Sequence, residues 1–359
     1  MPWRRRQVLL LGLLFSSLLF CLPLLLLQHS AEERPDNGQG NQMWLSAENR
    51  KENISWPQLG DAHEIDMVYT WVDGEKSRNR VRQHSELVYA IRCAFRHAPW
   101  LRHFYIVTNG EYPSWLKIED PRVTLVTHAE LWPDPTQLPT ENSNAIESVL
   151  HRINGLSEWF LYSNDDMFIG KMTNSSYWYS SPRYHVHVQK NILVKTPSPE
   201  EWKRKIDQMN SEWKSLFQTN RMLDLHWGRK ARYYVTHSIQ LFNTRVLSTS
   251  TQLWRRAFEQ MQSSLGRTRS AIDVNIRFLH AHVLVEEYGA DLLSEDLKFE
   301  SLHSRSTGLL RRIAVSNAAV FCFNDDMGKR VNRKVIEQFH AGLEFICGAD
   351  ASPVEKPVK

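Results

Sequence analysis

The stretch FLYSNDDMFIG, Phe160–Gly170, is an apolar, aromatic run that stops at Asn164-Asp165-Asp166. A second run, FCFNDDMG at Phe321–Gly328, stops the same way at Asn324-Asp325-Asp326. Short apolar runs bounded by turn-forming residues read as buried strands. Each motif therefore places adjacent carboxylates at the carboxyl end of a strand. Upstream of the first motif, strand and helix patterns alternate. IDMVYTWV (Ile65–Val72), FYIVT (Phe104–Thr108) and Val123–Val126 read as strands, and Trp159–Tyr162 feeds the first motif. Ser85–His97 carries Leu87, Ile91, Ala94 and Phe95 at helical spacing, and Asn142–Ile153 also reads as helix. This alternation predicts a largely parallel α/β sheet, whose ligands bind beyond the carboxyl ends of its strands. Asp73, Asn109 and the Asp165–Asp166 pair all fall at such ends.

Downstream, Ser180 to about Arg232 has two prolines in KTPSPEEW and many charges, and reads as an irregular or helical insertion. RYYVTHSIQLF (Arg232–Phe242) is apolar around His237. Leu253–Met261 and Ile272–Tyr288 read as helices, and AAVFCF (Ala318–Phe323) as the strand leading to the second motif. A last helix sets Val331, Val335, Ile336, Phe339, Leu343 and Ile346 on one face.

Composition is ordinary for a globular protein, with 42% hydrophobic and 23% charged residues in 359. The net charge of +4 is slight, and Arg4–Arg6 supply three of those charges, so a nucleic-acid surface is not indicated. After them comes Val8–Leu27, VLLLGLLFSSLLFCLPLLLL, an uncharged run long enough to span a bilayer. The positive-inside rule puts residues 1–7 in the cytosol and the rest in the lumen. QHSAEE after Leu27 offers no good signal-peptidase site, so the run is expected to stay as a signal anchor. Polar residues 28–61 then form a stem, 62–348 the catalytic domain, and 349–359 a C-terminal tail. Sequons at Asn53 and Asn174 agree with a secretory-pathway, Golgi-type address for a single-pass type II protein. Outside the span lie Cys93, Cys322 and Cys347; no spacing suggests zinc, and Cys322–Cys347 is the plausible disulfide.

Adjacent carboxylates at a strand end can hold a divalent cation through hard oxygen ligands, suited to a metal beside a pyrophosphate. The plainer reading is a turn or a helix cap. His237 interrupts an apolar run and could take a hydroxyl proton near neutral pH. His185 and His187 share one strand face, which reads as solvated rather than metal-binding. Arg269 and Asp273 lie one helical turn apart, as a surface ion pair or with the arginine gripping phosphate; Arg267 is the alternative arginine. No Walker A loop, G-x-S-x-G or Rossmann G-x-G-x-x-G is present.

Four blocks resemble the Stealth family of capsule hexose-1-phosphate transferases and the animal GlcNAc-1-phosphotransferase α/β precursor. The first is EIDMVYTWVDG (Glu64–Gly74). The second runs from SELVYAIRCAFRHAPWLRHFYIVTNGEYPSWL through PRVTLVTHAELWPDPTQLPTENSNAIESVLHRINGLSEWFLYSNDDMF. The third is VTHSIQLF with RTRSAIDVNIRFLHAHVLVEEYG, and the fourth is FCFNDD. The resemblance implies a Rossmann-like, glycosyltransferase-A-related α/β core with a helical insertion, and a nucleotide-sugar donor, a UDP-sugar. It implies that Asp165 or Asp166, together with Asp325, holds Mg2+ or Mn2+. It assigns His237 as the base, with Asp166 and Arg269 beside the reaction. Trp71, Asp73, Arg92, Asn144, Glu147, His151 and Arg152 match motif positions for donor binding or scaffolding. Ser163, Glu141 and the proline-free HSIQLF depart from the family pattern, which bears on substrate choice rather than reaction type.

The expected function is transfer of a sugar-1-phosphate from a nucleotide diphosphosugar to the hydroxyl of a glycan or polysaccharide. The alternatives are a glycosyltransferase acting at the anomeric carbon and an inactive glycan-binding protein.

Overall fold

The computed structural model describes residues 54–73, 84–263, 269–294, 296–328 and 331–357. The expected anchor Val8–Leu27 and the sequon at Asn53 lie outside the described residues. Among the described residues no helix is long and apolar enough to cross a membrane.

The chain runs through β1 (Ile65–Thr70), α1 (Glu86–His97), β2 (Phe104–Thr108), β3 (Val123–Thr127), α2 (His128–Leu131), α3 (Ser143–Val149) and β4 (Trp159–Asn164). There follow β5 (Met167–Ile169), β6 (Tyr179–Ser180), β7 (Arg183–Val194), α4 (Pro199–Lys205), α5 (Ser211–Trp227), β8 (Arg232–Val235) and β9 (Gln240–Asn243). The last part holds α6 (Thr244–Leu253), α7 (Arg255–Ser263), α8 (Ile276–Tyr288), β10 (Asp291–Ser294), β11 (Leu297–Leu302), α9 (Leu309–Ala314), β12 (Val320–Asp325) and α10 (Arg333–Cys347).

The central sheet has the order β3-β2-β1-β4-β9. Its first four strands are parallel and β9 runs antiparallel at the edge. Ile65–Tyr69 and Phe104–Thr108 are buried throughout, as strands covered on both faces must be. Thr70 pairs with Asn164, so β1 and β4 end level with each other. Trp71–Asp73 and Asp165–Asp166 consequently leave the sheet at one edge.

A second sheet, β11-β12-β5, carries the other acidic motif to the same place. β5 and β12 are antiparallel with Met167 opposite Cys322, so the start of β5 meets the middle of β12 and Phe323–Asp325 run on beyond the pairing. The Phe323 N–H donates to the Asp166 carbonyl at 3.1 Å. Gly170 permits this close pairing: a Cβ there would stand 2.5 Å from Phe321 Cε2 and 2.6 Å from the Ala318 carbonyl oxygen.

Three expectations need correction. The segment after Ser180 is not wholly irregular or helical: it opens with the twelve-residue strand β7, which pairs with β6, β8 and β10. Its charged, histidine-rich sequence disguised a short buried centre, Val186–Val188, flanked by exposed and half-buried residues. The disulfide joins Cys93 to Cys347, not Cys322 to Cys347, tying α1 to α10 across 254 residues of sequence. Cys322 sits mid-strand in β12 and stays a free, buried thiol. Residues 349–357, expected as a tail, pack on the domain: Val354 is fully buried and the Lys117 N–H donates to its carbonyl at 2.8 Å.

Candidate active site

The two Asn-Asp-Asp motifs meet at the carboxyl edge of the central sheet, joined by a third acid. Glu86 opens α1 and is buried, accepting from the His84 N–H at 2.5 Å. Burial, then the charge of Asp165, pushes its carboxyl up to about 7. Asp166 also rises to about 7, through burial and the charges of Asp165 and Glu86. Its Oδ1 is enclosed without a hydrogen-bond partner among the described residues. Asp325 belongs to this edge but is held differently. His84 Nε2 lies 3.1 Å from its Oδ2, and the Met327 N–H donates to its Oδ1 at 2.9 Å. Among the described residues no three acidic, histidine or cysteine side chains converge as a set of cation ligands. The carboxylates therefore gather and repel one another without forming a closed cage. Their repulsion and the unpartnered Asp166 oxygen are what a divalent cation would relieve, so the residues fit such an ion.

Beside the acids lies a basic half. His237 occupies the turn between β8 and β9, with Nδ1 3.8 Å from Cys322 Sγ; the same sulfur lies 3.9 Å from Asp166 Oδ2. One thiol thus stands between the expected base and an expected metal ligand. Burial, then the positive charges of Arg277 and Arg269, lower the His237 imidazole well below its ordinary range, so it is neutral at pH 7. Burial and the Asp166 charge push the Cys322 thiol well up, so it keeps its proton.

Arg269 Nε donates to Ser143 Oγ at 2.9 Å, and its Nη1 stands 4.0 Å from Glu212. It does not pair along a helix with Asp273, because α8 begins only at Ile276, where Asn275 caps the Phe278 N–H. Asp273 instead accepts from the Ser270 N–H at 2.7 Å and from Asn142 Nδ2 at 2.9 Å, pinning this turn against the start of α3. Asn144 and Glu147 are buried on α3. Glu147 accepts from the Tyr162 hydroxyl at 3.1 Å, and burial raises its carboxyl, which Arg277 partly offsets.

The structure thus gathers His237, Asp165, Asp166, Asp325, Arg269, Asn144 and Glu147, with Trp71 and Asp73 following β1 at the same edge. Three expected donor-site residues lie elsewhere. Arg92 binds Glu355 with two bonds of 2.8 and 2.6 Å and so fastens the C-terminal segment. His151 and Arg152 fall past α3, in the 3-10 turn Leu150–Arg152 that leads toward the start of β4. There His151 lines a separate cleft with Pro57, Gln58 and Arg245. His185 and His187 face the Tyr177 carbonyl at 3.2 and 3.1 Å, and His187 is buried, so their face is not solvated. Asn174 is exposed, as an acceptor sequon requires.

Sequence reasoning missed Glu86, His84, Arg277 and Cys322. Glu86 is the first residue of α1, and nothing in its sequence position sets it apart. Cys322 is inside FCFNDD, and Arg277 follows Arg269 by eight residues in the third block; those positions were the available signals.

The profile of Stealth protein CR2, conserved region 2, matches residues 80–187. An exopolysaccharide phosphotransferase of Streptomyces coelicolor is 33% identical over 296 residues, which is 75% of this chain and 49% of that protein. This chain belongs to the Stealth family. The human N-acetylglucosamine-1-phosphotransferase subunits alpha/beta are 50% identical to the Stealth chain over 99 residues, 28% of it and 8% of that precursor. A galactosyltransferase solved with donor and acceptor sugar analogues aligns over 80% of the Stealth chain and 98% of its own, with TM-score 0.43 and 11% identity. The Stealth chain spans about half the length of the bacterial relative.

Proposed function

We propose that this Stealth protein transfers a sugar-1-phosphate from a nucleotide diphosphosugar, a UDP-sugar, to a hydroxyl of a glycan or polysaccharide, on a glycosyltransferase-A-related core. One observation carries the reading: the neutral His237 lies within the field of two arginines and beside Asp166. A base for inverting attack at an anomeric carbon would sit on the far side of the sugar from the phosphate-binding cations. Here base and cations share one place, which suits attack at phosphorus. The relatives named as phosphotransferases agree with that chemistry.

In the proposed step the acceptor oxygen attacks the phosphorus nearer the sugar, and a His237 ring nitrogen takes the hydroxyl proton. The bond from that phosphorus to the bridging oxygen breaks, and the nucleoside monophosphate leaves with the electron pair. Arg269 steadies the phosphate charge, Asn144 and Glu147 shape the pocket wall, and Trp71 and Asp73 border the donor. Asp165, Asp166 and Asp325 are the side chains that would hold Mg2+ or Mn2+. Such an ion, when bound, neutralises diphosphate charge. The run Val8–Leu27 would anchor the enzyme as a type II protein of the Golgi or a related secretory membrane; release by alkaline carbonate would exclude this.

The test is product mass together with one variant. An acceptor heavier by hexose plus phosphate supports phosphoryl transfer, and one heavier by hexose alone refutes it. His237→Ala should lower kcat by about 10²–10⁴-fold, the range for loss of a general base. Donor affinity should hardly change, because the proton moves only in the transition state.

A further inference from the structure

Arg277, the second residue of α8, is 7% exposed, yet its guanidinium is underbonded. Nε stands 3.9 Å from Glu147 Oε1, beyond hydrogen-bond reach, and Nη1 is enclosed with no partner among the described residues. The neighbouring carboxylates do not serve it: the Tyr162 hydroxyl donates to Glu147 Oε1 at 3.1 Å while Glu147 Oε2 is itself enclosed without a partner among the described residues, and the Tyr234 hydroxyl donates to Glu212 Oε1 at 3.0 Å. The difference from Arg232, also buried, is one of degree: its Nη2 likewise lacks a partner among the described residues, but its Nε and Nη1 are held by Glu286 at 3.1 Å, Asn220 at 3.0 Å and Asp224 at 2.6 Å, whereas Arg277 Nε is out of reach of Glu147. A buried cation with an unsatisfied donor edge is costly to keep, and its planar fork matches a phosphate's oxygens.

The setting points the same way. The charge of Arg277 reaches His237, Asp166 and Cys322 alike, so its guanidinium lies beside the pocket that holds the base. Arg269 is one-third exposed and forms the outer side of that pocket. We propose that Arg277 is the inner phosphate-binding residue of the site, completing its hydrogen bonds on the diphosphate of the donor while Arg269 contacts it from the solvent side. The inference rests on the reading of a diphosphate donor, but not on which bond of that donor breaks.

The experiment measures binding of inorganic pyrophosphate by calorimetry, in chelator so that no cation contributes. Wild type should bind, and Arg277→Gln should bind at least about tenfold more weakly, as loss of a bidentate charge-assisted contact requires. Arg277→Lys keeps the charge without the fork and should lose about three- to tenfold; it carries the test if the glutamine variant fails to fold. Unchanged affinity in both Arg277 variants, or no binding by wild type, would overturn the proposal. A hexose-only product with the Arg277 losses intact would refute phosphoryl transfer and leave the subsite standing.

Discussion

Glu86→Gln should stabilise the cation-free protein by an amount that grows as the pH rises from 4.5 and is fully developed above about 7. The wild-type carboxyl is raised from 4.5 to about 7 in the fold, chiefly by burial and by Asp165. Glu86 thus binds its proton more tightly folded than unfolded, and raising the pH from 4.5 through 7 removes stability. Fully developed, that loss is about 3 kcal/mol. Glutamine abolishes it while still accepting the His84 N–H. Losing a negative charge at the first turn of α1 returns about 0.5 kcal/mol in the other direction. The net gain of about 2–3 kcal/mol at pH 8.5 corresponds to about 5 °C in Tm for a domain of this size. At pH 5 Glu86 is already protonated in the fold, so the variant should melt within about 1 °C of wild type. The assay is thermal melting by circular dichroism in chelator at both pH values. Mg2+ or Mn2+ at pH 8.5 should raise wild type more than the variant, narrowing the gap. Equal gains at the two pH values, or a lower Tm for the variant at pH 8.5, would refute the reasoning, because neither follows from relief of carboxylate repulsion.

Asp165→Ala, Asp166→Ala and Asp325→Ala should each cut turnover by at least about 10²-fold while melting remains cooperative. EDTA should abolish activity and Mg2+ or Mn2+ restore it; full turnover in chelator would remove the cation from the mechanism. Reducing Cys93–Cys347, or replacing Cys347 by Ser, should cost about 4–5 kcal/mol in urea unfolding, given the long loop closed; an unchanged midpoint would show that the bond does not form. Burial lowers His128, His151 and His187 to about 4, and His280 and His282 to about 3. The contribution of these histidines to stability is therefore full above pH 6.5 and lost as the pH falls toward 4 and below. Native tryptophan fluorescence persisting at pH 3.5 would contradict this.

The parallel core was legible because burial there is two-sided. β1, β2 and β4 are mostly apolar and separated by helices; the buried exception, Asp66, is neutralised by Arg102 at 2.6 and 2.8 Å. β7 was not legible, since its polar residues surround a buried centre of only three residues, Val186–Val188, so neither the alternation nor the apolar run of a strand stands out. The disulfide was illegible for a different reason: Cys93 and Cys322 are equally apolar in context, and only the packing of α1 on α10 chooses between them. Arg92 matched a family position, but a helix presents its side chains to several neighbours, and this one faces the C-terminal segment.

The paired Asn-Asp-Asp motifs hold the physical core of the case. Their shared letters showed that each ends a strand. They could not show that β5 and β12 run in opposite senses, because that pairing joins Met167 to Cys322 across the whole second half of the chain. The antiparallel register makes the motifs unequal. The first turns immediately into β5, which encloses Asp166 and leaves its Oδ1 unpartnered near Cys322 and His237. The second runs on past the end of that pairing, where Asp325 is caught by His84. Identical tetrapeptides thus present one carboxylate toward the base and another tied to a histidine. A reaction needing a proton acceptor close to a charge-neutralising edge requires that asymmetry, which a symmetric pair of turns would not provide.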